Sequence, residues 1–410
     1  VTRGSTSVDV IVVGAGPAGS TLAFRLAQLG LHVSLLDRAR FPRDKPCAEY
    51  LNHGATRILG DMGVVSRLMS AGAVSLSGMN IRSPNGTWIR GEFVGKVAGR
   101  VVGHALSLRR VVLDEILVEL AKSAGVDVQE HAHVTDVIRD SSGRVTGVRV
   151  RDRQGGSRDL NALLVVAADG LNSTVARRLS LTRRSRLLRR VAFVGHFTGV
   201  SGIGSAGEMH VERNGFMGLA HVGGGESTAA LVVPQERARE ASGNVDAFFH
   251  DWINRCEQLA PRYAGARLTG RVRAVGPFAS HARRAWVPGA ALVGDAAEYL
   301  DPFTGEGIWS ALRGAELLAP WANEAARAAE AGNVRDADAP LKRYASARHA
   351  EFRGRRALER VIATVVARPA LMNRAAEWLA AAPEDANLLV AVTGAELPAG
   401  RVFGLLSRGG

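Results

Sequence analysis

The run Gly14-Ala15-Gly16-Pro17-Ala18-Gly19 follows a continuously apolar stretch, Val8-Asp-Val-Ile-Val-Val13, and opens a segment to Leu29 with apolar side chains at helical spacing. No other feature constrains the fold as much. A short β-branched run without alternation suits a strand covered on both faces, and glycines between strand and helix permit a tight turn. His32 to Leu36 reads as a second buried strand that stops at Asp37, 18 residues beyond Gly19. The unit is therefore βαβ. Free amides and the dipole at a helix N-terminus suit a pyrophosphate, and an acid ending the second strand suits two ribose hydroxyls. A dinucleotide site is expected here, with a purely structural βαβ unit as the alternative.

A second glycine match, Gly202-Ile-Gly204-Ser-Ala-Gly207, precedes Glu208-Met-His-Val-Glu212, which alternates like a strand. No helix N-terminus is then available for a phosphate, so this segment is expected to be a sheet connection. Any nicotinamide cofactor would bind transiently elsewhere.

After a polar loop from Arg38 to Pro46, Pro84-Asn-Gly86 marks a hairpin and a helix is predicted from Arg109 to Ser123. Val134 to Val150 carries two strands around Ser141-Ser-Gly143, and Leu163 to Ala167 is another buried strand. From Val191 to Pro234 the pattern alternates, with turns at Asn214-Gly215 and Gly223-Gly-Gly225, which predicts an antiparallel sheet. Ala290 to Val293 returns to a buried strand, a long helix follows after Gly307 with Thr304 to Ile308 as its opening, and the chain from Leu341 is helical with breaks at Pro369 and Pro383. The expected fold is α/β. A discontinuous Rossmann-like domain takes residues 1–73, 100–185 and 281–335, an inserted, mainly antiparallel substrate sheet takes 74–99 and 186–280, and a helical tail takes 336–410.

Lysine and arginine total 52 against 39 acids, a net charge of +13 carried almost entirely by arginine. The arginines are spread along the chain without a nucleic-acid signature, and the densest group, Arg177 to Arg190, reads as a solvated helix end and loop. No nucleic-acid partner is expected. Cys47 and Cys256 are too few for a disulfide framework or a metal site. Apolar runs such as Ala162 to Ala168 fall far short of the roughly 20 residues of a membrane span, and no signal peptide precedes the first strand. A soluble cytoplasmic protein is expected.

Two further segments identify the dinucleotide. Ala167-Ala-Asp169-Gly170-Leu-Asn-Ser-Thr-Val-Ala-Arg177 resembles the Asp-Gly segment of the aromatic-hydroxylase group of FAD-dependent flavoproteins. Gly294-Asp295 through Pro302-Phe-Thr-Gly305-Glu306-Gly307-Ile308 resembles their Gly-Asp segment. Together with Arg43-Asp-Lys45-Pro-Cys47, the latter is most similar to the geranylgeranyl-reductase-like branch, and the matches span residues 8 to 320.

The resemblance implies FAD held non-covalently and NADH or NADPH as a transient reductant. It implies a cofactor-binding set of Gly14, Gly16, Pro17, Ala18, Gly19, Asp37, Arg38, Lys45, Cys47, Arg110 and Val134, continued by Asp169, Gly170, Gly294, Asp295, Pro302, Gly305, Glu306, Gly307 and Ile308. Asp295, after a buried strand, suits a ribityl hydroxyl or a pyrophosphate-bound water, with a structural cap as the alternative. Amides at Thr304 to Ile308 suit the flavin N1 and C2 carbonyl, where reduction accumulates negative charge. Arg110 matches the arginine that reaches the cofactor from a helix, an ordinary surface arginine being the other reading. Asp169 would support the cofactor, or simply cap the helix near Ser173. Cys47 and Glu306 are the catalytic candidates, against a buried unreactive thiol for the former.

Departures narrow the function. Prenyl reductases have glycine where Ala48 stands and an aromatic Trp-x-Phe-Pro strand where this chain has Gly215-Phe-Met-Gly-Leu-Ala220, and hydroxylases often have histidine at Glu298. The Trp-x-Trp-x-Ile-Pro motif of flavin halogenases is missing. The expected activity is a class A-like monooxygenase that hydroxylates or epoxidises a small hydrophobic or polyketide-like metabolite, with molecular oxygen activated at the flavin C4a. Reduction or dehydrogenation of carbon–carbon double bonds is the second reading, and a non-catalytic binding protein on the same fold the third.

Overall fold

Val8–Val13 has parallel neighbours on both sides, and its side chains alternate between two apolar clusters, Val10 and Val12 on one face and Ile11 and Val13 on the other. A run that must be apolar on both faces cannot alternate, which is why the sequence reads as it does. The computed structural model describes residues 8–93, 96–97, 100–101, 105–185, 189–333 and 336–406. Across the main sheet the order is Asp127–Gln129, Val33–Leu36, Val8–Val13, Ser157–Ala167 and Ala290–Leu292, all parallel. The outer half of Ser157–Ala167 continues into an antiparallel ribbon with Val145–Arg151 and His133–Arg139. Helices Pro17–Gln28, Arg110–Ser123 and Gly307–Glu330 cover one face.

A second sheet runs Arg267–Leu268, Arg190–Thr198, Glu226–Pro234, Gly215–Gly223, Gly207–Glu212, Gly78–Arg82 and Trp88–Glu92. It is antiparallel except where Gly207–Glu212 pairs parallel with Gly78–Arg82. One face buries Phe193, Met217 and Leu231 against Phe249 and Ile253 of helix Val245–Arg255. The other buries Phe216, Val232 and Val211 against Met372, Ala376 and Leu379 of the tail. The tail helices Asp338–Val366, Pro369–Ala381 and Pro383–Thr393 thus roof the sheet, and the last two begin at their prolines. Proline suits a first helical turn because its missing N–H has no partner there in any case.

The long helix starts at Gly307 with Glu306 as its cap, as the sequence predicts, because Gly305 at φ +68° lies outside right-handed helical space and closes a turn by donating its N–H to the Pro302 carbonyl at 3.2 Å. One expectation needs correction. The arginine-rich stretch is not uniformly solvated. Arg177 and Arg178 are exposed, but Arg190 is buried and donates to Asp301 at 2.7 Å, and residues 186–188 of that stretch lie outside the described residues. No helix among the described residues is long and apolar enough to cross a membrane.

Candidate functional site

The three glycines of the first turn do different work. Gly14 has φ +101°, and a Cβ there would lie 2.5 Å from the Ala168 carbonyl oxygen. At Gly19 a Cβ would lie 1.8 Å from the Gly14 oxygen. These two let strand, helix and the Ala168-Asp169 segment close on one another. Gly16 is open instead: a Cβ would meet only the Arg43 guanidinium, at 3.6 Å. Helix Pro17–Gln28 has neither a side-chain cap nor an acid in its first turn, so its positive end faces that opening unneutralised.

Asp37 is buried at the end of its strand, where Oδ2 accepts from the Ala15 N–H and Oδ1 from the Ala39 N–H, both at 2.8 Å. It fixes the glycine turn as well as facing the site. Arg43 reaches from the loop to Asp37 (3.9 Å) and to Asp114 (3.1 Å). Asp114 also takes both arms of Arg110, at 2.9 and 2.8 Å, so Arg110 is a locked, buried cation rather than a surface one. Arg38 is exposed just past Asp37, and Val134 is buried in the strand His133–Arg139.

Beyond Arg110 come Lys45, Asp169, Gly170, Gly294 and Asp295. Lys45 and Asp295 are half-buried and feel each other's charge, and Gly294 and Asp295 line a polar cavity together with Glu306. Burial and then the Arg110 charge lower the Lys45 pKa, while Asp295 counteracts them. Burial raises the Asp295 carboxyl, against the pull of Lys45 and Arg110. Asp169 caps the short helix Thr174–Arg178: its Oδ2 accepts from the Thr174 N–H at 2.6 Å, with Ser173 as a second cap on Ala176. Its other oxygen, Oδ1, is buried without a hydrogen-bond partner, and burial raises its pKa. Gly170, at φ +77°, would place a Cβ 3.6 Å from Lys45 Nζ. At Gly294 a Cβ would come within 2.9 Å of the Ala18 methyl, so this glycine lets the turn pack on the first helix.

An open glycine at a bare helix end, the Arg43, Lys45 and Arg110 cations beside it and an orphaned carboxylate oxygen fit an elongated phosphate-bearing dinucleotide. A second feature begins at Pro302–Gly305. An apolar cavity of about 1440 Å³, open mouth included, runs between the inserted sheet and the tail helices. Met79, Ile81, Met209 and Gly218 line it from the sheet, Ile362, Val365, Met372 and Trp378 from the tail. Its inner end is formed by Ala48, Tyr50 and Pro302–Gly305. The Tyr50 ring lies over Gly305, 2.5 Å from where a Cβ would stand.

Cys47 adjoins this inner end, with Sγ accepting from the Glu49 N–H at 3.3 Å. Glu306 is placed differently from its motif partners: its carboxylate turns away from the cleft and accepts from Arg355 of the tail at 2.6 Å. Glu298, at the histidine position of hydroxylases, likewise accepts from Arg356 at 2.9 Å.

Sequence reasoning missed Glu49, Asp114, Tyr50 and the tail. Glu49 is completely buried at φ +61°, and its Oε1 accepts from the Arg110 N–H at 2.9 Å, while Oε2 pairs with His196 at 2.7 Å. It ties the Cys47–Tyr50 segment to the helix and to the inserted sheet. Its only sequence signal is an acid flanked by small and aromatic residues. Gly202–Gly207 behaves as expected, with the strand Gly207–Glu212 following and open space around Gly204.

The FAD binding domain family matches residues 7–350. Digeranylgeranylglycerophospholipid reductase 1 of Methanopyrus kandleri is 30% identical over 361 residues, 84% of this chain and 87% of that protein. Conditioned medium factor receptor 1 of Dictyostelium discoideum is 28% identical over 323 residues, 75% of this chain, and the match spans only 62% of the receptor. Among solved structures, a flavin-dependent brominase superposes with a TM-score of 0.79 at 19% identity, covering 98% of this chain and 99% of that one.

Proposed function

The chain belongs to the FAD binding domain family and is an FAD-dependent oxidoreductase, and from that premise we propose that it is a monooxygenase of an elongated, apolar small molecule. The observation that carries this reading is the apolar cavity ending on the Pro302–Gly305 turn. The residues present fit FAD. The Gly16 opening and the bare helix end would take the pyrophosphate, Asp37 the adenosine ribose, and Asp295 with Lys45 the ribityl end. FAD bound there would supply two-electron chemistry, with NADH or NADPH as the electron source and molecular oxygen as the acceptor, one oxygen atom entering the substrate and the other leaving as water.

The protein's own residues supply the environment. Sheet and tail walls keep water from the inner end of the cavity, which protects reactive oxygen species from wasteful side reactions. The start of helix Gly307–Glu330, uncapped by any side chain, favours negative charge beside the turn. Around the inner end, Tyr50 and Thr304 are the polar side chains, and burial raises the Tyr50 pKa with Glu306 adding to it, so the phenol stays neutral. A neutral phenol positions a substrate oxygen and is a poor acid. Oxygen insertion needs no strong acid there.

The second reading, reduction of a carbon–carbon double bond, is supported by the 30% identity to the Methanopyrus reductase. A single experiment separates the two. Purified enzyme is incubated with NADPH or NADH and a panel of apolar substrates, with and without oxygen, and products are weighed by mass spectrometry. The monooxygenase reading expects an oxygen-dependent product that gains one oxygen atom, while the second oxygen leaves as water. A product that gains two hydrogens under anaerobic conditions would overturn it in favour of the reductase.

A further inference from the structure

Beside the Pro302–Gly307 turn lies a second, polar cavity of about 520 Å³, open mouth included, lined by Gly294, Asp295, Glu298, Glu306, Arg355 and Glu359 among others. Within it one cation joins segments that are far apart in sequence. Arg355 donates to Glu306 Oε1 at 2.6 Å and to the Val392 carbonyl at 2.9 Å through Nη1, and to the Leu397 carbonyl at 3.2 Å through Nη2. Its guanidinium also sits 4.3 Å from the ring centroid of Trp309, in the first turn of the helix that follows Glu306. The same tail segments wall the apolar cavity, through Leu358 and Ile362 on the Arg355 helix and Val390 and Thr393 beside Val392.

We propose that Arg355 is a positioning residue for the flavin site, clamping the Pro302–Gly307 turn to the tail so that the turn and the far wall of the cavity are set as one unit. The inference rests on the FAD reading of that turn. Glu306 is buried, and Glu359 of the Arg355 helix lines the same cavity. Two neighbouring buried carboxyls oppose each other's ionisation, and Arg355 is the cation that favours the charged form of Glu306. Burial raises both carboxyls, Arg355 pulls Glu306 back down, and Glu306, Asp301 and Glu298 push Glu359 further up. Of the other acids lining the cavity, Asp301 pairs with Arg190, Glu298 with Arg348 and Arg356, and Asp295 feels Lys45 and Arg110. Arg355 is therefore the cation that sets the field at this end of the turn.

The test uses the FAD-loaded protein and its midpoint potential, alongside the FAD dissociation constant of the apoprotein. R355M removes the positive charge and should lower the potential and raise the FAD dissociation constant about tenfold, a fraction of what unpairing a buried charge costs. R355K, which keeps the charge, should restore most of both. E306Q and E359Q combined keep the hydrogen-bonding shape and remove the negative charge, since either single change lets the other carboxyl take it up. That double variant should raise the potential. Opposite shifts from the two charge changes are not what general loosening would give. If R355M does not fold, the double variant and R355K still decide the matter. Folded, flavin-loaded variants whose potentials and FAD dissociation constants are unchanged would overturn the clamp, and potentials that move the same way in R355M and the double variant would overturn the charge role of Arg355. Wild-type protein that takes up no FAD would instead overturn the reading of the turn.

Discussion

Asp114→Ala should destabilise the folded protein by about 3–5 kcal/mol, the usual cost of removing one partner from a buried ion pair. The Asp114 side chain is fully enclosed and receives Arg110 at 2.9 and 2.8 Å and Arg43 at 3.1 Å. Arg110 is itself buried, so deleting the carboxylate strands two guanidinium groups with little water to replace it. The loop bearing Arg43 then loses one of its two acidic anchors, the other being Asp37 at 3.9 Å. Urea unfolding followed by far-ultraviolet circular dichroism measures the loss, read from the midpoint at constant slope. A loss below about 1 kcal/mol would mean that solvent reaches both arginines, and that Asp114 does not organise the floor of the cleft.

Gly305→Val should abolish FAD binding, or leave a weakly held flavin with a lower potential. The residue stands at φ +68°, and its Cβ would fall 2.5 and 2.9 Å from two carbons of the Tyr50 ring. Backbone strain for a β-branched residue in that region costs about 1–3 kcal/mol, and the collision adds a similar amount. Tyr50 cannot yield freely, because it is partly buried and packs beside Phe93, with centroids 6.4 Å apart. The turn would have to move away from the flavin. Each ~1 kcal/mol of amide stabilisation lost lowers a two-electron potential by about 20 mV. Gly204→Val is the matched control, since Gly204 has open space around it. Full FAD occupancy with an unchanged potential in Gly305→Val would show that the turn does not face the isoalloxazine.

The parallel sheet was legible because Val8–Val13, Val33–Leu36 and Ala290–Leu292 are buried on both faces, and only a near-continuous apolar run satisfies that. Inserted-sheet turns were legible from Gly215 and Gly223–Gly225, whose positive φ values demand glycine. Proline marked the tail helices for an equally local reason. What stayed hidden is what folding brings together across the chain. Glu49 meets His196, 147 residues away, and Glu306 meets Arg355, 49 residues away. Neither pair has a spacing that sequence can flag, because the partners lie on different layers. The tail's second task, walling the cavity, was invisible because an apolar face looks the same whether it packs against protein or leaves room for a ligand.

The central claim is that the cleft from Gly16 to Gly305 holds FAD without a covalent bond. Titrating the apoprotein with FAD while following flavin fluorescence tests it most directly, with the protein then denatured by heat and the supernatant assayed. The expected result is saturable uptake of a single FAD per chain and complete release of unmodified FAD on denaturation. Folded protein that leaves FAD fluorescence unchanged across the titration would contradict the site, and flavin that stays with the precipitated chain would contradict the non-covalent attachment.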